Sequence, residues 1–585
     1  MSAVATTVGP SPIALRRARV RTHAQRLVLC GYVLGAVAVT WRLWADPAAR
    51  AQVGDAQDVT LFAWFMRYEA TAVAHGHLPA LVTAAINPPQ GVSLMWNTSL
   101  LLPGVLLAPL TLLAGPQVTL TTVLTLGFAG SAAALFWVLR RWGASVVAAA
   151  LGGAVYGFSP ALLNSGIGHY HLQFAVLPPL IIDALLRLLA GRGRMVWSAA
   201  WLGLLAAAQL FTGEELLTDT ALAAVVLTVT LVASHPHEVR DRARDFGFGM
   251  GISVLIFLVV CGPALWQQFH GPLREHYVAR ATHYTSYLSA HPSVFVTPPG
   301  DLMFHTAASA AAAASYPAHL SEYLAYLGWP LLAALVIAAV WAWRDARIRV
   351  CAVTFAALEL LSLGDAYRGL PVLSQLIPDR LAILADGAAA ALLAFALDRA
   401  RAASARAGAR AAAARAWGPP WGQLATAAAV LAVLPLVPLP YQAAPVATVP
   451  AGWQAAFARL GLAPGARVLV VPIPYSDFTQ AMRWEASTGA PGTLIGGFFL
   501  GPNQDGKTRV SPGPATADAL DLDPLWAGRR PEARRSVAQI RADLESWRPA
   551  AVVEVLRRHS RVQQIMTRLL GRPSFRSGRV LVWRR

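Results

Sequence analysis

Along this chain, apolar runs of about twenty residues alternate with short polar segments, and every second polar segment is rich in arginine. A helix rising 1.5 Å per residue needs roughly 20 residues to cross the hydrocarbon core of a bilayer. Runs of that order occupy residues 28–45, 118–139, 144–162, 172–190, 196–212, 216–233, 247–265, 324–343, 348–364, 381–398 and 422–439. A further run, Ser99 to Leu113, is ambiguous. If it crosses, Arg140 and Arg141 fall outside and every later cluster inverts; if it is a partial or interfacial helix, all clusters agree. On the second reading the cytoplasmic segments hold the N-terminal arginines, Arg140 and Arg141, then Arg187, Arg192 and Arg194, then Arg240, Arg242 and Arg244. Arg344, Arg347 and Arg349 and the Arg399 to Arg415 run complete the set. The expectation is a mainly α, polytopic bundle of about eleven spans with a cytoplasmic N-terminus.

The opposite face then carries residues 46–117, 266–322, shorter loops near 163–171, 213–215 and 365–380, and everything after about 440. Past Leu439 the pattern changes. Ala466 to Pro474, Thr493 to Leu500, Ala550 to Val555 and Arg579 to Trp583 read as strands; Arg530 to Ser546 and Val562 to Leu570 read as helices. This predicts two domains, a membrane domain over 1–440 and a small α/β domain over 441–585 outside the membrane. That second domain has no nucleotide-binding glycine loop, and a structural or acceptor-positioning role is expected of it.

Composition sharpens the class. Of 585 residues 56% are hydrophobic and 13% charged, which fits an integral membrane protein. The formal charge of +18 sits mostly in short loops, where it orients the chain, so no nucleic-acid partner is expected. Cys30, Cys261 and Cys351 each lie inside an apolar run, without metal-ligand or redox spacing, which argues against disulfides and zinc. The arginines from Arg16 to Arg26 precede an apolar stretch with no small-residue cleavage site after it, which reads as an uncleaved first span.

Chemistry is expected on the outer face. Asp58 stands just beyond the first span and before an amphipathic stretch containing Leu61, Trp64, Phe65 and Tyr68; it, or Asp55, either lines a lipid-accessible cavity or caps that helix at its positive end. His169 and His171 follow the third span as Gly-His-Tyr-His, a weak metal spacing that suits hydrogen bonding to a phosphate, or interfacial packing, better. Glu214 and Glu215 follow the fifth span, where at least one should face a cavity rather than lipid, the alternative being a pair at the water interface. Arg380 precedes the tenth span at the outer rim, where a planar guanidinium suits a phosphate; the competing reading is a local ion pair with Asp379. Arg67 and Glu322 are further substrate-binding candidates, and Asp183, Glu359 and Asp386 lie inside spans, where acids pair, stay neutral or relay protons. The loop from Gln267 to Glu322 is rich in polar aromatics.

The first loop contains Asp58 to Trp64 in the form D-x-x-L-F-x-W, then Gly76 to Pro79 as GHLP, then Asn87 to Val92 as N-x-P-x-G-V. With the many spans and the outer C-terminal domain, this resembles the GT-C superfamily of membrane glycosyltransferases, in particular its poorly characterised bacterial members. The resemblance implies a polyprenyl-phosphate-linked sugar donor, a glycan, lipid or protein acceptor of the cell envelope, and a bacterial plasma membrane location. It also implies that the first-loop acid, Asp58 with Asp55 second, is the general base, and it supports Arg380, in a P-x-R motif, at the leaving phosphate; the reading expected is an inverting transfer in which His169 or His171 assists Arg380. Relatives that glycosylate protein hold a divalent metal on a D-x-D pair which this chain lacks, so no obligatory metal is expected. The competing reading is a lipid or glycan transporter or flippase, disfavoured by the lack of an inverted repeat of broken apolar segments; a non-catalytic scaffold comes third.

Overall fold

The computed structural model describes residues 12–234, 236–274, 288–316, 319–364, 377–413, 421–489, 492–503, 505–531, 535–558 and 560–585. Asp365, Tyr367, Arg368, Glu275, His276, His283, Tyr284 and Tyr287 lie outside these residues. The protein is mainly helical and is a multi-pass membrane protein. Among the described residues six helices are long and apolar enough to cross a bilayer: Thr22–Trp44, Pro116–Arg141, Val146–Ser165, Glu214–Ser234, Arg240–His270 and Pro378–Arg410. Met195–Leu210, Trp329–Ala342 and Trp421–Leu436 are apolar but shorter. The expected runs 172–190 and 348–364 appear as Leu177–Leu189 and Ala346–Ser362, of 13 and 17 residues.

The Ser99 to Leu113 run forms two helices, Leu101–Leu106 and Ala108–Ala114. Seven residues rise only about 10 Å, too little to cross. The break has a local cause, since Pro109 near the start of the second helix has no N–H to continue the first.

Pro116–Arg141, Val146–Ser165 and Pro378–Arg410 form the inside of the bundle, each at least two-thirds buried over its apolar window, whereas Thr22–Trp44, Glu214–Ser234 and Arg240–His270 are mostly exposed to the surroundings. Glycine allows the inner contact. A Cβ on Gly153 would lie 2.6 Å from the Ala132 carbonyl oxygen, and one on Gly157 would lie 2.4 Å from the Ala132 nitrogen. The two helices therefore touch backbone to backbone, the close approach that small residues permit in membranes.

At the C-terminal end a five-stranded sheet runs in the order Phe575–Ser577, Val580–Arg584, Ala551–Val555, Arg467–Val471, Thr493–Leu494. The last three strands are parallel and the first two are antiparallel additions. Strand periodicity splits the faces. Leu469 and Val471 pack under Trp526 and Trp547, while Val468 and Val470 belong to the same apolar core as Phe62 and Trp64. The helix expected over Arg530 to Ser546 starts later, at Val537, because Ser536 caps it and pairs with Gln539 in a capping box.

The first loop is the clamp between the two regions. Ala56–Ala74 is a helix whose Trp64 Nε1 donates to Glu485 Oε2 at 2.8 Å, and whose Arg67 Nε donates to the Ala486 carbonyl at 2.8 Å. Burial pushes the Glu485 carboxyl up to about 8, with the Trp64 bond partly opposing it. Asn87 adopts a positive φ and donates its N–H to the Leu494 and Gly496 carbonyls, beside the Ile86–Leu494 bridge. The Asn-x-Pro motif thus ties the loop to the sheet.

Candidate active site

The site begins with helix geometry. Residues four apart share a helix face, and Asp58 and Phe62 stand one turn apart on the Ala56–Ala74 helix. Phe62 packs edge-on against Tyr170 at 5.6 Å between ring centroids and lies 5.9 Å from His171. That contact fixes Asp58 above the short Tyr170–Gln173 helix. Asp55 occupies the N-cap position, yet its side chain makes no capping hydrogen bond. It turns inward instead: one ligand atom each from Asp55, Asp58 and His169 lie within 4.8 Å of one another.

Two glycines make room for this cluster. Gly54 has φ +143°, and a Cβ there would come within 2.0 Å of Ile167 Cγ2. A Cβ on Gly168 would lie 2.8 Å from Asp55 Cβ. Beneath them Gln52 Nε2 donates to Tyr170 Oη at 2.6 Å and to the Gly166 carbonyl at 3.0 Å, locking the two segments together.

From His169 the polar groups continue across the bundle. His169 Nδ1 is 3.6 Å from Glu322 Oε1. Glu322 is held at its backbone, where Asn164 Nδ2 donates to the adjoining Tyr323 carbonyl at 2.5 Å. It accepts Arg380 Nε at 3.1 Å on one oxygen and Arg380 Nη2 on the other. The other end of the guanidinium, Nη1, donates to Glu215 Oε2, which in turn lies 3.6 Å from His171 Nε2. Asp58, His169, Glu322, Arg380, Glu215 and His171 therefore form one continuous line of charge and hydrogen-bonding capacity.

Electrostatics distinguish the members. Desolvation raises the Asp58 carboxyl to about 6; His169 and Arg380 oppose the rise, while Asp55 and Glu322 add to it. Burial lowers His171 to about 4, although Glu215 pulls the other way. His171 is therefore neutral near pH 7 and offers a hydrogen bond rather than a charge. Arg380 and Glu322 are buried, with side chains 8% and 6% exposed, whereas Glu215 at 22% and His169 at 17% reach open space.

Several expectations are thereby relocated. Arg380 pairs with Glu215 and Glu322 rather than with Asp379, whose two carboxylate oxygens have no hydrogen-bond partner among the described residues. Adjacent residues of a tight 3₁₀ turn point in different directions, so Asp379 is the wrong neighbour for a guanidinium directed across the bundle. Arg67 is directed at the C-terminal region, away from the line of charge. Glu214 accepts Gln268 Nε2 at 3.3 Å and stays apart from Arg380. Asp183 is spent on Arg141 at 3.1 Å and Trp142 Nε1 at 3.0 Å. Asn164 is not singled out by the sequence, where a lone asparagine in the short loop after the third run carries no spacing signal.

No family model matches the chain, and no curated protein matches it. Solved structures do. The chain is similar to the archaeal oligosaccharyltransferase AglB from Archaeoglobus fulgidus in complex with an inhibitory peptide and a dolichol-phosphate, at 12% identity over 91% of this chain and 69% of that one, TM-score 0.45. It is similar to the Archaeoglobus fulgidus oligosaccharyltransferase in the apo form, at 11% identity over 90% and 69%, TM-score 0.46. It is also similar to the arabinofuranosyltransferase AftD from Mycobacteria, at 15% identity over 96% of this chain and 39% of that one, TM-score 0.47.

Chemically, the cluster offers a carboxylate of raised basicity and a fixed cation partly neutralised by two acids. Asp55, Asp58 and His169 also present two carboxylates and an imidazole, a donor set that suits a divalent cation.

Proposed function

We propose that the protein is an inverting glycosyltransferase that moves a sugar from a polyprenyl-phosphate donor to a cell-envelope acceptor. The observation that carries this reading is the Asp58 carboxyl, raised to about 6 and joined through His169 and Glu322 to Arg380. A hydroxyl is a poor nucleophile until a base takes its proton during attack, and a base with a pKa near 6 is ionised at pH 7 while retaining more proton affinity than an ordinary aspartate. In the proposed step Asp58 takes the acceptor proton, the acceptor oxygen bonds to the anomeric carbon, and the bond from that carbon to the phosphate oxygen breaks. The polyprenyl phosphate leaves with the electron pair.

Arg380 receives the phosphate by exchange. Glu322 grips it through two donors and is nearly inaccessible, while Glu215 holds a single donor from a more open position. The donor phosphate replaces Glu215 on Nη1, and Glu322 keeps the guanidinium oriented. The charge on the departing group is then met by a preorganised cation in a site of low polarity.

The reading extends to the threading. Each of the eleven expected helical stretches is taken as a span, the arginine-rich ends as cytoplasmic, and the site with the C-terminal sheet as extracytoplasmic in a bacterial plasma membrane. The sheet region, clamped by Trp64 and Asn87, acts as the acceptor-positioning element.

The test is stereochemical. Purified protein given a polyprenyl-phosphate sugar labelled at its anomeric carbon and a cell-envelope extract should yield an acceptor-linked sugar of inverted anomeric configuration. Movement of the intact donor across vesicles without cleavage, or retention of configuration, contradicts the proposal.

A further inference from the structure

At the end of the bundle remote from Asp58 lies a cavity of about 600 Å³. It is lined by Arg141, Arg187, Arg192, Arg242 and Arg347, which come from four helices and one turn, and by a single acid, Asp183. Phe395 also lines it, fifteen residues along the helix from Arg380 and so roughly 22 Å away. The acid is already used, since Asp183 takes both Arg141 and Trp142. Arg347 leans on Asp345 at 3.6 Å and on the Phe395 ring at 4.8 Å. Among the described residues Arg187, Arg192 and Arg242 make no ion pair; Arg242 donates to the Ala190 carbonyl at 2.7 Å.

The cavity continues into the bundle. An apolar slot shares Trp142, Leu227 and Cys351 with it and runs on between Leu358 and Leu384. From Cys351 to Leu358 the helix rises about 10 Å. Apart from Tyr156 and Thr354, which also line it, the slot walls are apolar or small.

Orienting the chain in a membrane requires only that basic residues lie in the loops. It does not require them to converge on a cavity, nor the cavity to open into an apolar slot. We propose that this is a binding site for an anionic phospholipid, whose phosphate sits among Arg187, Arg192 and Arg242 and whose acyl chain enters the slot. Guanidinium groups donate paired hydrogen bonds to phosphate, and basic pockets between membrane helices suit anionic headgroups. A zwitterionic lipid brings its own cation to the same three arginines and is disfavoured. The site stands on its own geometry and is independent of the transferase reading.

The experiment uses delipidated full-length protein in detergent, with lipid retention followed by native mass spectrometry and stability by thermal unfolding. The probes are dioleoyl phosphatidic acid, dioleoyl phosphatidylcholine and inorganic phosphate. Phosphatidic acid should be retained and should raise the unfolding midpoint, and the other two should not. Arg187→Gln with Arg192→Gln should weaken retention about tenfold or more, by removing two charge-assisted contacts. Ala388→Phe, which fills the slot and leaves every arginine in place, should weaken it likewise. Equal retention of the two lipids, an equal midpoint shift with inorganic phosphate, or wild-type retention in both variants would overturn the proposal.

Discussion

Glu322 holds Arg380 by two donors at once, Nε at 3.1 Å and Nη2 on the other oxygen, across 58 residues of sequence. The pair is buried, so neither partner tolerates loss of the other. Removing one member of such a pair typically costs about 3–5 kcal/mol, because a charge is left desolvated without compensation. Glu322→Gln should therefore lower the thermal midpoint clearly, whereas Glu215→Gln, with its more exposed carboxylate, should lower it little.

The same asymmetry has a kinetic counterpart. If Glu215 competes with the donor phosphate for Arg380, Glu215→Gln should lower the KM for the polyprenyl-phosphate sugar, by about tenfold for one charge-assisted contact. An unchanged or raised KM would show that the phosphate does not bind by displacing Glu215.

The pH dependence follows from Asp58. Its carboxyl is raised to about 6 by burial, and the base must be ionised to act. The sign is therefore that kcat/KM rises with pH through about 6 and levels above it, because that parameter reports the base in the free enzyme. The neutral His171, lowered to about 4, adds no second limb near neutrality. A rate that is flat between pH 5 and 7 would show that Asp58 does not titrate in the reaction.

Gly168 supplies a steric test. A Cβ at this position would stand 2.8 Å from Asp55 Cβ, closer than real contacts allow, so the Asp55–Asp58–His169 cluster must shift. Displacements of about 1 Å can cost on the order of 100-fold in rate. Gly168→Ala should reduce kcat by at least about tenfold while circular dichroism shows an unchanged helical fold.

Metal dependence is testable on the same residues. The proposed proton transfer to Asp58 needs no cation, so a chelator should leave turnover unchanged. Loss of activity in EDTA, restored by a divalent cation, would assign Asp55, Asp58 and His169 to that ion.

Local signals were legible in the sequence and long-range pairing was not. Apolar run length located helices at each expected stretch, and alternation located the strands near Arg467, Thr493, Ala551 and Val580. Asp58, Phe62 and Trp64 stood out as one motif, and the structure gives each a separate direction: toward His169, over Tyr170, and to Glu485. The partners of Arg380 lie 58 and 165 residues away. Charge at such separations leaves no periodic trace, so the sequence offers Arg380 for a phosphate, with Asp379 as the competing partner, and does not display the two acids that hold it. The Asn-x-Pro segment was visible as a motif, but that it holds the C-terminal sheet depends on backbone hydrogen bonds that residue types do not encode.

The central claim is that Asp58 performs the proton abstraction while Arg380, joined to it through His169 and Glu322, meets the leaving phosphate. Its most direct test is Asp58→Asn, an isosteric change that removes the base and leaves the helix in place, measured for sugar transfer and for donor-lipid binding in the same preparation. Turnover reduced by about 100-fold or more with donor affinity preserved is the predicted result. Transfer at the wild-type rate, or loss of donor binding in step with turnover, would contradict it.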